Sequence, residues 1–426
     1  MQTKTNRPSR AGRNFGRRRS FSSTNSNNKR PNRSGGRSFS SGHSRQSGRG
    51  GARSGRKMPT FDPSQFINTN PVETTPEIYE PKHRFSTFGL SGKLVRTINS
   101  LGMERPSPIQ DQIIPYILEG KDVIGLAQTG TGKTAAFLIP LIEKTLKKYD
   151  RQTLILTPTR ELALQVQDEL RKLSEGNKIY STICVGGTSI RPQIQSLRRK
   201  NHFIIGTPGR ILDLIDRKNL KTQHINTVVL DEADRMLDMG FINDIRKVLT
   251  DIPKNRETLL FSATMDESTK KVVDEFLNDP VKVSVKKKDV TNSILQDVVP
   301  YKRIEKFETL TSLLENPEFK RVIVFGAMKH SVEKLGKSLT EHGIKAVSIH
   351  GNKNHGQRQK ALRDFKSGHA RVLVATDVAA RGIHVDNVSH VINYDLPNTF
   401  EDYVHRIGRT GRADKNGKAL TFIPTH

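Results

Sequence analysis

The sequence predicts two doubly wound α/β domains in tandem behind a disordered, strongly basic tail. Three observations lead there. Short apolar runs alternate with helical stretches in two successive series, the positive charge gathers at one end, and the chemistry-bearing motifs fall just after the apolar runs. Apolar runs of four to six residues between helices indicate a parallel sheet covered on both faces. Such sheets bind ligands outside the carboxyl ends of their strands.

The 426 residues carry 71 Lys+Arg against 43 Asp+Glu, a formal net charge of +28. That length predicts two or three domains. Hydrophobic residues make up 34%, against about 45–50% in an ordinary globular chain, so part of the chain is not packed core. Residues 1–58 hold 13 Arg and 3 Lys, with no acid and no Ile, Leu or Val. Such a segment buries too little apolar surface to offset its ordering entropy, so disorder is expected. Phe15, Phe21 and Phe39 interrupt the arginines. Arginine attracts phosphate, and its plane stacks on bases as phenylalanine does, which favours nonspecific nucleic-acid binding over simple solubilisation. Residues 59–84 add five prolines and turn acidic, as an extended linker would. Cys184 stands alone, so no intrachain disulfide forms and a reducing compartment is expected. No run approaches the ~18 apolar residues of a membrane span, and the basic N-terminus lacks the apolar core of a secretory signal. Membrane-embedded, disulfide-scaffold and secreted classes are disfavoured, and an anionic partner is favoured.

The first series of strand runs is Asp122–Leu126, Thr153–Thr157, Ser181–Val185, His202–Ile205, Thr227–Leu230, Thr258–Phe261 and Val281–Val285. The second is Arg321–Phe325, Ala346–Ile349, Arg371–Ala375, Val388–Asn393 and Ala419–Ile423. Domain one is expected at 85–285, a charged linker at 286–291, and domain two at 292–426.

After the first strand come Ala127, Gln128, Thr129, Gly130, Thr131, Gly132, Lys133 and Thr134, then a helical stretch. This is a P-loop with Ala127 in the usual glycine place. Glycines let backbone N–H groups face phosphate oxygens at a helix start. Lys133 would reach the β- and γ-phosphates, and the Thr134 hydroxyl would ligate Mg2+. Val228–Leu230 runs into Asp231, Glu232, Ala233 and Asp234. Acids after a buried strand can cap the next helix. Beside a P-loop, Asp231 would hold Mg2+ partly through water, and Glu232 would polarise the attacking water.

These two sites, in this order, resemble the DEAD-box family of superfamily 2 RNA helicases, and the resemblance extends over residues 85 to about 423. It implies two RecA-like domains, RNA-stimulated ATP hydrolysis, and ATP with Mg2+ as ligands. Phe85, Arg105 and Gln110 match its adenine-reading Q motif. Pro158, Thr159, Arg160, Gly187, Thr207, Pro208, Gly209 and Arg210 match its RNA-backbone motifs in domain one. Gly351, Arg358, Thr376, Asp377, Arg381 and Gly382 match those in domain two. Asp234, Ser262, Thr264, His405 and Arg406 match residues that couple hydrolysis to strand separation, with His405 and Arg406 bridging toward the Asp231–Asp234 loop. Arg409 and Arg412 match arginine fingers that neutralise the γ-phosphate.

The tail and the motif V wording look most like bacterial RhlE-type members. The resemblance implies a cytoplasmic protein off the membrane. Its partners would be single-stranded RNA and short duplexes, read with little sequence preference, and ribosomal or RNA-decay proteins. An ATP-gated RNA clamp and a DNA translocase are the competing classes. Met103, His355 and His384 depart from the family pattern, at an aromatic, a glutamine and an acid respectively. The sequence stops at His426 just after a strand, where the family adds a helix, so a shortened second domain is expected.

Overall fold

The computed structural model describes residues 62–69, 79–128, 130–285, 294–302, 304–380, 385, 387–411 and 417–425. The tail, the 286–291 linker and Thr129, Arg381, Gly382, His384 and Arg412 lie outside the described residues.

In the first lobe the strands are β1 (Val123–Leu126), β2 (Gln152–Leu156), β3 (Ser181–Cys184), β4 (Phe203–Gly206), β5 (Ile225–Asp231), β6 (Glu257–Ser262) and β7 (Val281–Ser284). They form a sheet in the order β3-β4-β2-β5-β6-β1-β7, with every neighbouring pair parallel. The helices are α1 (Gly92–Ser100), α2 (Pro108–Glu119), α3 (Lys133–Lys147), α4 (Arg160–Leu173), α5 (Ile190–Leu197), α6 (Pro208–Asp216), α7 (Ala233–Asp238), α8 (Ile242–Asp251) and α9 (Glu267–Phe276).

The apolar runs explain this sheet. Ile155 joins one buried cluster with Val229 and Phe261, while Leu154 and Leu156 join another with Val228 and Leu230. Successive side chains on a strand point to opposite faces, so both faces are covered and no polar alternation is tolerated.

The second lobe repeats the plan. Its strands are β8 (Leu295–Tyr301), β9 (Val322–Phe325), β10 (Ala346–Ile349), β11 (Val372–Ala375), β12 (His390–Asn393) and β13 (Lys418–Pro424). Their order is β10-β11-β9-β12-β13-β8, again all parallel. The helices are α10 (Lys306–Glu315), α11 (Lys329–Glu341), α12 (His355–Lys366), α13 (Asp377–Ala380) and α14 (Phe400–Ile407).

Strand β8 is absent from the runs read in the sequence. Gln296, Asp297 and Pro300 interrupt it, and it lies at the sheet edge, where proline and polar residues are tolerated. Part of the stretch read as an extended linker is also anchored. Pro63–Phe66 forms a 3-10 turn capped by Asp62, and Asn68 pairs antiparallel with Gln296 of β8. Among the described residues, no helix is long and apolar enough to cross a membrane.

Candidate functional site

The strand-to-helix turn after β1 has the shape that its glycines allow. Gly130 and Gly132 have φ of +87° and +88°, which glycine adopts without a Cβ penalty. Gly132 is the N-cap of α3, so the first helical N–H groups open toward the loop. Lys133 is buried and its Nζ donates to Ala127 O at 2.6 Å, across the loop. Ser107 Oγ donates to Thr131 O at 2.8 Å, and Gln110 Nε2 donates to Gly132 O at 3.1 Å. The Gln110 Oε1 accepts from Ser107 N at 2.9 Å, closing a capping box on α2. Gln110 therefore braces the P-loop with the nitrogen of its amide while the oxygen caps its own helix. Its second N–H and second lone pair remain available to pair with a base edge. Phe85 is buried in the lobe-one core, and Met103 packs against the same cluster.

The acidic turn lies at the end of β5. Asp231 is 2% exposed, and burial, followed by the charge of Glu232, pushes its carboxyl up to about 7 against the opposing pull of Lys133. Glu232 sits at φ +56°, in the left-handed region, and its carboxylate accepts from Arg235 Nη1 at 2.9 Å. Asp234 is the junction. Its Oδ2 accepts from Ala263 N at 3.0 Å, Thr264 N at 3.1 Å and Thr264 Oγ1 at 3.3 Å. Ala127 N donates to Ser262 O at 3.0 Å. The P-loop, the acidic turn and the turn after β6 thus form one hydrogen-bonded unit.

A second unit is built from the loops after β2, β3 and β4. Thr159 caps α4 by accepting from Leu162 N at 3.2 Å. Arg160 then lies across Gly187, where a Cβ would come 2.0 Å from its Nη1. Arg210 donates to Thr188 O at 3.3 Å. Burial, with Arg358 and Arg210 nearby, holds the Arg160 guanidinium below its usual range despite Glu161. Thr207 is half-buried at the N-cap of α6, with Pro208 buried and Gly209 exposed beside it. Crowded guanidinium groups at strand ends attract phosphate. Replacing Gly187 with alanine combines a left-handed backbone with a clash on Arg160. The expected result is at least roughly tenfold weaker binding of single-stranded RNA, about 1.4 kcal/mol, by fluorescence anisotropy.

The second lobe meets this unit. Arg358 on α12 pairs with Glu161 on α4 at 3.0 Å, with side chains 14% and 2% exposed. The resemblance gives Arg358 to RNA, whereas here its guanidinium links the lobes. His355 lies in the same crowd of Glu161, Arg160 and Arg358, and burial lowers its pKa. Gly351 is exposed at the turn after β10.

Arg406 corrects another expectation. It does not bridge toward the acidic turn of lobe one. Its guanidinium is 2% exposed and binds both oxygens of Asp377 at 2.6 and 2.8 Å, with Asp395 O at 2.6 Å. Asp377 thereby spends its carboxylate on Arg406, and Thr376 precedes it half-buried at the start of α13. His405 is half-buried on α14, and Arg409 is buried just past its end.

Three working residues escaped the sequence reading. Glu161 supplies the interlobe partner, Arg235 holds Glu232, and Asp111 accepts four hydrogen bonds from Tyr79, Lys82 and His83. Asp111 lies between Gln110 and Gln112, so nothing in its immediate sequence marks it as buried.

Comparison with known proteins agrees with this geometry. Residues 107–272 match the family model described as DEAD/DEAH box helicase, and residues 305–414 match the helicase conserved C-terminal domain. The chain is 48% identical over 342 residues to the ATP-dependent RNA helicase CshA of Listeria monocytogenes, covering 80% of this chain and 66% of that protein. It is 48% identical to CshA of Bacillus subtilis, covering 69% of that protein. The chain thus spans about two thirds of the length of these curated relatives. Their name differs from the RhlE-type group suggested by the tail. Among solved structures, S. cerevisiae Dbp5 bound to RNA and ADP BeF3 matches with a TM-score of 0.71 at 31% identity, covering 80% of this chain and 90% of that one. Mss116p bound to ssRNA and AMP-PNP matches with a TM-score of 0.72 at 27% identity, covering 82% and 76%.

Proposed function

The chain belongs to the DEAD-box helicase family, and from that premise we propose that it is an ATP-dependent RNA helicase that opens short duplexes or remodels RNA–protein complexes. The observation that carries this reading is the Asp234 junction. It joins the acids beside the P-loop to the turn after β6 through three hydrogen bonds to one carboxylate oxygen. A change at the nucleotide is thereby felt at a second strand end without any long-range argument. The sub-group we assign is that of the CshA-named relatives rather than the RhlE-type group.

In this reading the lobe-one P-loop N–H groups and Lys133 bind the triphosphate. Lys133 has to leave Ala127 O to do so, a short swing from a poised position. Mg2+ fits the donor set, because Asp231 and the Thr134 hydroxyl offer hard oxygens and Asp231 is a carboxylate buried at high cost when charged. When bound, Mg2+ would offset phosphate charge. Glu232 orients the attacking water, with its carboxylate held by Arg235. Arg409 and Arg412 supply positive charge at the γ-phosphate from lobe two. Arg160, Arg210, Thr159 and Thr207 hold RNA phosphates and hydroxyls, which gives little sequence preference. The domain limits we propose remain 85–285 and 292–426. Ribosomal or RNA-decay proteins are the partner class that this activity serves, in the cytoplasm.

The direction of the pH effect follows from Asp231. Its carboxyl is raised to about 7, so protonation below that value competes with a bound cation. Affinity for Mg2+-nucleotide is expected to fall as pH drops below about 7, approaching tenfold per pH unit. Asp231→Asn should flatten that slope, read by fluorescent-nucleotide titration.

The function itself is tested by ATP hydrolysis with RNA and with DNA, followed by strand release from a short RNA duplex. Stimulation by RNA with ATP-dependent release supports the helicase. Stimulation without release supports an ATP-gated clamp, and equal stimulation by DNA supports a translocase.

A further inference from the structure

The parallel sheet of lobe one has a second end, opposite the P-loop. Three connections meet there: 148–151 leading into β2, 178–180 leading into β3 and 198–202 leading into β4. Hydrogen bonds lace them together. Tyr149 Oη donates to Lys178 O at 2.9 Å, Tyr180 N donates to His202 Nδ1 at 3.0 Å, and Lys200 Nζ donates to Asp150 at 3.0 Å. Three rings result side by side. His202 is buried, with Tyr149 edge-on at 4.4 Å and Tyr180 stacked at 5.6 Å. The two tyrosines remain 40% and 48% exposed.

The same three connections are basic. Lys148, Lys178, Arg198, Arg199 and Lys200 are all exposed, and Asp150 is the one acid among them. Asp150 is already engaged by Lys200, whose Nζ also lies 4.1 Å over the Tyr149 ring. Arg151 turns inward to Glu257 at 3.4 Å. Cations just past a helix C-terminus offset the helix dipole, which accounts for Lys148 after α3 and Arg198 after α5. It accounts neither for Lys178, which precedes a strand, nor for two tyrosine rings left open beside the cations.

We propose that this face is a second docking surface for single-stranded RNA, in which a base stacks on Tyr180 and phosphates run past Lys178, Arg198 and Arg199. Aromatic faces flanked by cations hold single strands without sequence preference. The ring faces favour a base-bearing strand over an acidic polypeptide, which needs charge alone. The five residues of β2, about 17 Å, separate this face from the strand-end arginines. Its grip on RNA therefore does not depend on bound nucleotide, and it keeps hold of a strand that the nucleotide end of the lobe releases. The site goes beyond the helicase reading, while the choice of RNA as occupant rests on it.

The test uses the full chain in three forms: the parent, Tyr149→Leu with Tyr180→Leu, and Arg198→Gln with Arg199→Gln. Leucine keeps an apolar cover on His202 and removes the stacking face. Melting curves check the fold, and if the leucine variant fails to fold, the variant at the exposed arginines decides. The probe is a single-stranded RNA bearing 4-thiouridine, cross-linked by light without nucleotide and mapped by mass spectrometry, beside its affinity by anisotropy. In the parent, cross-links should fall within 148–151 or 178–180, and they should vanish in the leucine variant. Affinity should fall at least roughly fivefold in that variant. The salt slope should fall by about 1.4 in the arginine variant, the share of two phosphate contacts. Absence of cross-links in these segments overturns the proposal, and so does parental affinity in both variants. Protection of the segments from hydrogen exchange by polyglutamate and not by RNA also overturns it, in favour of a protein partner. RNA-stimulated hydrolysis by the parent is read separately: its absence counts against the helicase reading and leaves the cross-link result standing.

Discussion

Glu232→Gln is expected to lower RNA-stimulated ATP hydrolysis by about 10²-fold or more while leaving nucleotide affinity within a few-fold. The backbone supports a functional reading of this residue. A non-glycine at φ +56° costs on the order of 1–2 kcal/mol, and such strain gathers at functional sites. At that backbone the carboxylate accepts from Arg235 Nη1 at 2.9 Å, with both side chains buried. Glutamine keeps the size and can still accept from Arg235, but it cannot draw a proton from water. Steady-state hydrolysis at saturating RNA, beside a fluorescent-nucleotide titration and a melting curve, separates turnover from binding and folding. Unchanged turnover removes Glu232 from the mechanism.

The second large effect is expected at the lobe junction. Arg358→Ala leaves the buried Glu161 carboxylate without its ion-pair partner, with the charge of Arg160 still nearby, and breaking such a pair costs up to about 3–5 kcal/mol. Closure should suffer by roughly 10²–10³-fold, seen as weaker RNA binding in the presence of a non-hydrolysable ATP analogue. Nucleotide binding to lobe one alone should not change, because Arg358 is remote in sequence and role from the P-loop unit. Glu161→Ala and the double variant complete a cycle. If the pair acts as described, the double variant should be less impaired than the two single losses added together. Full additivity would mean that the two residues act separately.

Much of the architecture could be read from the residues because burial on both faces leaves no choice of side chain. The runs Val228–Leu230 and Val322–Phe325 are apolar without a break and form central strands. Strand β8 was opaque for the opposite reason, since an edge strand can hold Asp297 and Pro300 without leaving the sheet. The same contrast applies at the site. Gly130, Gly132 and Lys133 show their use in their spacing, because a phosphate-binding turn needs those types at those offsets. The partner of a charge does not show in spacing. Arg358 and Arg406 read alike as basic helix residues, yet one reaches across to Glu161 and the other folds back onto Asp377. Only the packing of distant segments decides that. The contacts of Phe66 and Tyr79 were hidden likewise, since a lone phenylalanine and a tyrosine in proline-rich sequence carry no periodicity to reveal what they touch.

The central claim is that nucleotide on lobe one and RNA across both lobes strengthen each other. Binding coupling is reciprocal, so one affinity read under two conditions is enough. The measurement is the affinity of the full chain for a short single-stranded RNA, at fixed salt, with and without a non-hydrolysable ATP analogue and Mg2+. At least tenfold tighter binding with the nucleotide is expected, with loss of that gain in Arg358→Ala. Equal affinity in both conditions would contradict the claim.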